Sequence, residues 1–340
     1  MFHVSGFMKK IAINGFGRIG RQVFKVIVEK YPDLEVVAIN DLTDTKTLAH
    51  LAKYDSNYGV WQQEITAGAD VISVGGKKFA VSAEKEVSKL PWKELGIDIV
   101  LECTGLYTTD KDARKHIEAG AKKVIVSGPC KDCAGFILGV NSDGFDPAKH
   151  DVFDMGSCTT NCLAPITKIL QENFGIEKGF MTTVHSYTND QKILDLPHKD
   201  LRRARAAAVN IIPTSTGAAK AIGKMIPELE GKLDGIAMRV PTPVVSAIDL
   251  IVEVSKPTTK EEVNEAFKKA AAEKRFEGIF RVEEKPLVSS DFKGDSYSSI
   301  VDAELTMVNG NMVKVVGWYD NEWGFSSRFA EFAAFVAGKM

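Results

Sequence analysis

The chain contains no apolar run near the roughly 18 residues that would suggest a membrane span. It also carries almost no net charge: 43 basic residues face 45 acidic ones, for a formal charge of −2. That balance gives no electrostatic reason to expect a nucleic acid or an anionic membrane as the main partner. Cysteine is scarce, with five in 340 residues, an odd number. This argues against a disulfide framework and for a reducing, cytoplasmic setting. The first seven residues lack the basic start and long apolar stretch of a secretory signal, and read as a disordered tail ahead of a second candidate start at Met8. No internal repeat, low-complexity tract or obvious linker breaks the chain. Its length suggests two domains. A composition of 44% hydrophobic and 26% charged residues is ordinary for a globular protein with a large core.

Against this background the patterned segments stand out. Residues 10–14 read as a short buried strand, followed at once by Gly15-Phe16-Gly17-Arg18-Ile19-Gly20. Ile19, Val23, Val26 and Ile27 then recur at helical spacing. A second apolar strand over residues 34–40 ends in Asp41. This is a βαβ unit with an acid about 20 residues past its last glycine, as a dinucleotide fingerprint requires. Further buried strands are expected over 97–103 and 124–127, with a helix over 110–119 between them, which implies a parallel sheet.

The pattern changes after Cys158. A helix is expected over 159–174, with Pro165 near its start, and strands over 181–187, 235–240 and 244–254. Thr258/Thr259 before Glu261/Glu262 gives capping-box spacing ahead of a helix. Asn309-Gly310 between strand-like runs over 300–308 and 312–319 signals a hairpin. This half reads as a mixed or antiparallel sheet with helices on one face. The fold class is therefore α/β: a Rossmann dinucleotide-binding domain plus an α+β domain.

Two sites follow from the residues themselves. In the fingerprint, Gly15 permits the tight turn, Gly17 lets the backbone approach a pyrophosphate, and Gly20 allows close packing. Asp41 is placed to hold ribose hydroxyls and to repel a 2′-phosphate, which favours NAD over NADP. In Ser157-Cys158-Thr159-Thr160-Asn161-Cys162, polar neighbours place Cys158 at a helix N-terminus, where the thiol pKa is expected to fall. Cys162, one turn on, suits packing. His185 ends a strand-like run among polar residues; it is a candidate base, or an ordinary polar histidine. A thiolate beside a nicotinamide suggests covalent capture of an aldehyde, then hydride transfer. Thr214-Ser215-Thr216-Gly217 opens a helix and is either a phosphate site or a cap.

With these motifs in order, together with Thr183-Val184-His185-Ser186-Tyr187-Thr188-Asn189-Asp190-Gln191, Pro213-Thr214-Ser215-Thr216-Gly217-Ala218-Ala219-Lys220 and Trp318-Tyr319-Asp320-Asn321-Glu322-Trp323-Gly324, the chain from Lys10 onward resembles the glyceraldehyde-3-phosphate dehydrogenase family. The resemblance implies that Cys158 forms a thiohemiacetal and then a thioacyl enzyme, with His185 as base. It implies that inorganic phosphate releases the acyl group as 1,3-bisphosphoglycerate. Arg18, Ile19, Asp41, Thr104, Ser127 and Asn321 would line the NAD site, and Leu196-Pro197 is similar to the NAD-selective form. Thr188, Asp190, Arg203 and Arg239 would hold the substrate phosphate; Ser157, Thr159, Thr216 and Gly217 the inorganic phosphate. The implied domains are 8–156, with a C-terminal helix over 322–340 packing back on it, and 157–321 for catalysis. A homotetramer and no metal are also implied.

The chain departs from the family pattern in places. Phe325, Cys103 and Tyr107 are similar to the erythrose-4-phosphate dehydrogenase branch, which keeps a non-phosphorylating alternative open. A further alternative is a binding or redox-sensing protein with little turnover. Asp154-Met155-Gly156 replaces the usual Ser-Asn-Ala, and Asn57-Tyr58 stands where His is frequent. Cys130-Lys131-Asp132-Cys133 reads as incidental loop cysteines, a redox-sensitive pair or, least in keeping with its surroundings, half of a metal site.

Overall fold

A computed structural model describes residues 8–340; the first seven, read above as a tail, lie outside the described residues. The chain divides into two units. The first runs through Phe136 and adds Gly144–Met155 and Ser326–Met340; the second comprises Ile137–Asp143 and Gly156–Phe325.

The first unit is built on a nine-stranded sheet. Lys9–Asn14 sits within it, flanked by Leu34–Asn40 on one side and Ile99–Glu102 on the other, all three parallel. The strand order reverses at Lys9–Asn14, so the carboxyl ends of these strands form the switch point where open α/β sheets bind ligands. Beyond Ile99–Glu102 follow Lys123–Val126 and Val152–Asp154, also parallel. Continuous burial of Ile99–Glu102 and Lys123–Val126 explains the apolar runs Ile99–Leu101 and Val124–Val126 within them. On the other side, Lys77–Ser82, Val71–Val74 and Ile65–Ala67 extend the sheet. The sequence reading assigns no strands there, because these strands are short, only partly buried and weak in apolar patterning.

The expected helix over 110–119 divides instead into Asp110–Ala113 and Lys115–Glu118 at Arg114, where the Ile117 N–H bonds to the Arg114 carbonyl three residues back. The C-terminal segment from Ser326 joins the first unit through aromatic contacts. Phe332 lies edge-on to Phe153 at 5.9 Å, and Phe335 lies 6.1 Å from Phe145.

The second unit centres on an eight-stranded mixed sheet in which Ile176–Ser186 pairs parallel with Leu233–Val240 and antiparallel with Ser246–Val254. Helix Cys158–Phe174 packs Leu163, Ile166, Ile169 and Leu170 into its core. Pro165 lies inside this helix, not in its first turn, and so has no N–H for the ladder. The capping box at Thr259 and Glu262 forms as expected. The hairpin at Asn309-Gly310 also forms, with Gly310 at φ +60°. Its first arm is interrupted: Ser299–Asp302 and Met307–Asn309 are separate strands, because the Asp302 carboxylate accepts from the Leu305 N–H and the Trp318 indole.

Phe332 is fully buried. Replacing it with Ala is expected to cost about 3–5 kcal/mol, from lost transfer energy plus the cavity left behind. Thermal or denaturant unfolding of F332A measures this loss.

Candidate active site

In the first unit, Gly15 has φ +90°, and a Cβ there would lie 2.7 Å from the Thr104 nitrogen. Only glycine fits. A Cβ at Gly20 would lie 2.0 Å from the Gly15 carbonyl oxygen, so the close approach is to the loop itself. Helix Arg18–Lys30 starts at Gly17 with no side-chain cap. No side-chain cap stands between this helix start and an anion, and nothing lies within 4 Å of a Cβ at Gly17. Asp41 accepts from the Phe16 N–H at 2.7 Å and the Thr43 N–H at 3.0 Å, which fixes its carboxylate beside the loop.

A cleft of about 400 Å³ opens here. Gly15, Gly17, Asp41 and Thr104 line it, as expected, and so do Asn14, Asn40, Leu42, Glu84 and Lys85, which the sequence reading missed. The last two follow the unassigned strand Lys77–Ser82, which hid their placement. Arg18, Ile19, Gly20 and Ser127 are not among the lining residues. The Arg18 guanidinium instead makes a two-bond pair with buried Asp55, at 2.7 and 3.2 Å. The uncapped helix end, the loop and Asp41 fit a dinucleotide.

Cys130 and Cys133 are joined by a disulfide. Read from sequence, incidental thiols or half of a metal site were open options; the pairing replaces both. Cys103, Cys158 and Cys162 are free.

In the second unit, Ser157 caps the helix that begins at Cys158, in a reciprocal box with Thr160. His185 is the penultimate residue of its strand and lies in register with Arg239 on the parallel neighbour. These placements bring Cys158 Sγ to 3.5 Å from His185 Nε2. His185 Nδ1 lies 2.7 Å from the Ser186 carbonyl and 2.8 Å from Arg239 Nη1. A neutral ring serves these two neighbours in alternative tautomers. With the proton on Nδ1, directed at Ser186, Nε2 offers a lone pair to the thiol. With Arg239 donating to Nδ1, the Nε2–H faces sulfur.

Burial, helped by the Arg239 charge, lowers the His185 pKa to about 3, so the imidazole is neutral at rest. The expected low thiol pKa is not found. Desolvation pushes the Cys158 thiol up, and it outweighs the downward pulls of Arg239 and of hydrogen bonds from Thr159. The resting pair is thiol and neutral imidazole. Cys162 is buried, with its thiol raised further by desolvation, in keeping with packing.

The other expected residues divide into groups. Arg203 is ion-paired to Asp190 and donates to Thr214 Oγ1 at 2.8 Å. Asp190, an acceptor, therefore orients Arg203 and offers no hydrogen to a phosphate. Arg239 Nε is buried without a hydrogen-bond partner, which suits an arriving anion. The Thr159 hydroxyl meets the Tyr319 hydroxyl at 2.8 Å, and Thr159 also hydrogen-bonds the Cys158 sulfur. The Thr216 hydroxyl accepts from the Ala218 N–H, and Gly217 starts helix Ala218–Met225; no hydrogen bond joins either to Cys158 or His185. Thr188 follows the His185 strand and bonds Gln191. The Asn321 amide oxygen accepts from Ser246 Oγ at 3.0 Å, which leaves its NH2 for a ligand.

Sequence reasoning missed two positions. Tyr319, 1% exposed, bridges Thr159 and Thr183 at 2.8 Å each. Val245, a β-branched residue at φ +71°, is a true backbone outlier, and its carbonyl accepts from Ser186 Oγ at 2.7 Å. Strand alternation and the Trp318–Gly324 motif mark Tyr319 without indicating this role; no local signal marks Val245.

Residues 9–110 match the family model "Glyceraldehyde 3-phosphate dehydrogenase, NAD binding domain", and residues 157–321 match "Glyceraldehyde 3-phosphate dehydrogenase, C-terminal domain". The chain belongs to the glyceraldehyde-3-phosphate dehydrogenase family. It is 58% identical to the glyceraldehyde-3-phosphate dehydrogenase of Geobacillus stearothermophilus over 332 residues, covering 97% of this chain and 98% of that protein. It is 56% identical to glyceraldehyde-3-phosphate dehydrogenase 1 of Bacillus subtilis, with the same coverage, and 56% identical to the Streptomyces coelicolor enzyme over 97% and 99%. The family's first domain binds NAD, and NAD is the cofactor here.

A histidine held neutral by burial ties stability to pH. Its folded pKa lies below the unfolded value, so between about 6.5 and 3 the unfolded chain binds the extra proton. Stability therefore falls as pH falls through that window, by up to about 1.4 kcal/mol per unit for this one group. Denaturant unfolding between pH 7 and 5 is expected to show a shallower loss in His185→Asn than in the unmodified chain. The disulfide predicts a thiol count: in denaturant, only the three free cysteines react before reduction, and all five after it.

Proposed function

We propose that this chain oxidises and phosphorylates D-glyceraldehyde 3-phosphate to 1,3-bisphosphoglycerate, reducing NAD. The 3.5 Å contact of Cys158 Sγ with the neutral His185 carries the reading. A neutral imidazole can take the thiol proton as sulfur attacks the aldehyde carbon, giving a thiohemiacetal on Cys158. The imidazolium then formed, together with the backbone N–H groups beside the sulfur at the start of the Cys158 helix, faces the developing oxyanion. Bound NAD supplies the hydride acceptor. The Cys158 acyl thioester left behind is an electrophile for inorganic phosphate. Arg203 and Arg239 supply the cationic groups for phosphate, with Thr188 beside them and Asp190 orienting Arg203. Ser157, Thr159, Thr216 and Gly217 are the candidate contacts of inorganic phosphate. Gly15, Gly17, Gly20, Arg18, Ile19, Asp41, Thr104 and Ser127 make up the proposed cofactor-binding loop region, and the Asn321 NH2 is the proposed contact for the nicotinamide amide.

The relatives named above support glyceraldehyde 3-phosphate over erythrose 4-phosphate, since each carries the former in its name. A homo-oligomer is proposed from the outer sheet face of the second unit. Phe180 and Ile251 are registered neighbours there, with Ile236 and Val184 also exposed. A second copy of the chain would cover this face. Among the described residues no helix is long and apolar enough to cross a membrane. The cytoplasm is the proposed location, because both NAD and a phosphorylated sugar are found there.

With NAD and glyceraldehyde 3-phosphate, NADH absorbance should rise over many turnovers only when phosphate or arsenate is present, and C158S should show none. Turnover indifferent to phosphate would mean that water resolves the thioester, against this reading.

A further inference from the structure

Four residues at the carboxyl end of the first unit's sheet lie in register across the strands: Ser82 pairs with Asn40, Asn40 with Asn14, and Asn14 with Glu102. Glu102 is 1% exposed and has no role in the chemistry above. We propose that Glu102 is a positioning residue for the cofactor, its buried carboxylate holding Asn14 and Thr104, which line the cleft, in a single hydrogen-bonding arrangement. This rests on the reading that the cleft receives NAD.

The direction of every bond in the network can be worked out from its ends. At one end the Trp92 indole N–H, which can only donate, reaches His116 Nδ1 at 2.9 Å. Nδ1 is therefore bare, and the ring proton sits on Nε2, which donates to Glu102 Oε2 at 2.9 Å. At the other end the Glu84 backbone N–H, also donor only, reaches Asn40 Oδ1 at 2.9 Å. That fixes the Asn40 amide, whose NH2 donates to Asn14 Oδ1 at 2.8 Å. Asn14 is fixed in turn, and its NH2 donates to Glu102 Oε2 at 2.6 Å. From the third side, the Leu106 N–H donates to Thr104 Oγ1 at 3.0 Å. Thr104 then gives its N–H, at 2.7 Å, and its hydroxyl to Glu102 Oε1.

Every donor converges on Glu102, so its place must be held by a group that only accepts. A carboxylate does this; an amide cannot. Glutamine would turn its NH2 either onto the Thr104 N–H or onto the Asn14 and His116 donors. None of those can reverse, because each is locked from behind. The same Thr104 nitrogen is the atom nearest to a Cβ at Gly15, so a shift of Thr104 moves the wall against which the glycine turn packs. Asn14 is the residue immediately before that turn. The network thus orders the loop before the cofactor arrives, which removes an ordering cost from binding.

The test titrates wild type, E102Q and W92F with NAD by calorimetry, and measures KM for NAD and for glyceraldehyde 3-phosphate. E102Q is expected to weaken NAD by about tenfold or more, the scale of one lost charge-assisted hydrogen bond. KM for NAD should rise while KM for glyceraldehyde 3-phosphate holds, a split that general destabilisation would not produce. W92F leaves every cleft-facing group in place but unlocks the His116 tautomer, and should weaken NAD less than E102Q does. Folded E102Q with NAD affinity like wild type overturns the proposal. If E102Q fails to fold, W92F decides: weakened NAD supports the proposal and unchanged NAD overturns it. Wild type that itself fails to bind NAD overturns the assignment of the cleft, and the proposal with it.

Discussion

The chemistry depends on a neutral imidazole kept 3.5 Å from a thiol in a desolvated setting. Neither partner is charged at rest, so no ion pair holds them together. The backbone must do so, and the second unit is arranged accordingly. The Tyr319 hydroxyl ties Thr159, one residue past the cysteine, to Thr183, two residues before the histidine. Ser186, next to the histidine, gives its N–H to Ser246 Oγ and its hydroxyl to the Val245 carbonyl. Val245 holds a left-handed backbone that costs about 1–3 kcal/mol, sustained because its neighbours over-determine it. Arg239, in register with His185, then adds a positive charge that holds the imidazole neutral and pulls on the sulfur.

Two buried charged groups, Glu102 and Arg239, are treated in opposite ways. In the first unit, the Glu102 carboxylate is saturated with donors from Asn14, Thr104 and His116 and is fixed in place. In the second unit, Arg239 keeps a buried Nε without a partner. A saturated group rigidifies its surroundings, whereas an unsatisfied one stores an attraction for a ligand of opposite sign. The first suits a cofactor loop that must keep one shape. The second suits a site that takes up and releases phosphorylated molecules.

The glycine turn, Asp41, the Cys158 helix start and the Asn309-Gly310 hairpin were legible because each is a local feature with its own short-range physics. Glycine is needed where φ is positive, an acid follows the second strand, and polar residues cap a helix. What was not legible depends on residues far apart in the chain. The sign of the Cys158 shift follows from burial, which no spacing reveals. Tyr319 gains its role from two threonines on other elements. The strands over 65–82 are held by pairing rather than by a buried apolar run. The Cys130–Cys133 bond is one of several readings of the same spacing, and it depends on a loop that brings the two Cα atoms to 5.4 Å. Asp190, assigned to phosphate by family likeness, proves to be the partner of a cation.

The first unit takes its last segment, Ser326–Met340, from the end of the chain. Phe153 and Phe145, already in contact with each other and with Phe136, gain Phe332 and Phe335 as further partners from it. On a ribosome, which releases the chain from its N-terminus, the glycine turn and most of its sheet emerge early, while the helix that closes their aromatic core emerges last. The whole second unit is synthesised in between. Nascent chains therefore carry an uncovered aromatic surface until translation ends, and a truncation of a few C-terminal turns would leave it uncovered for good.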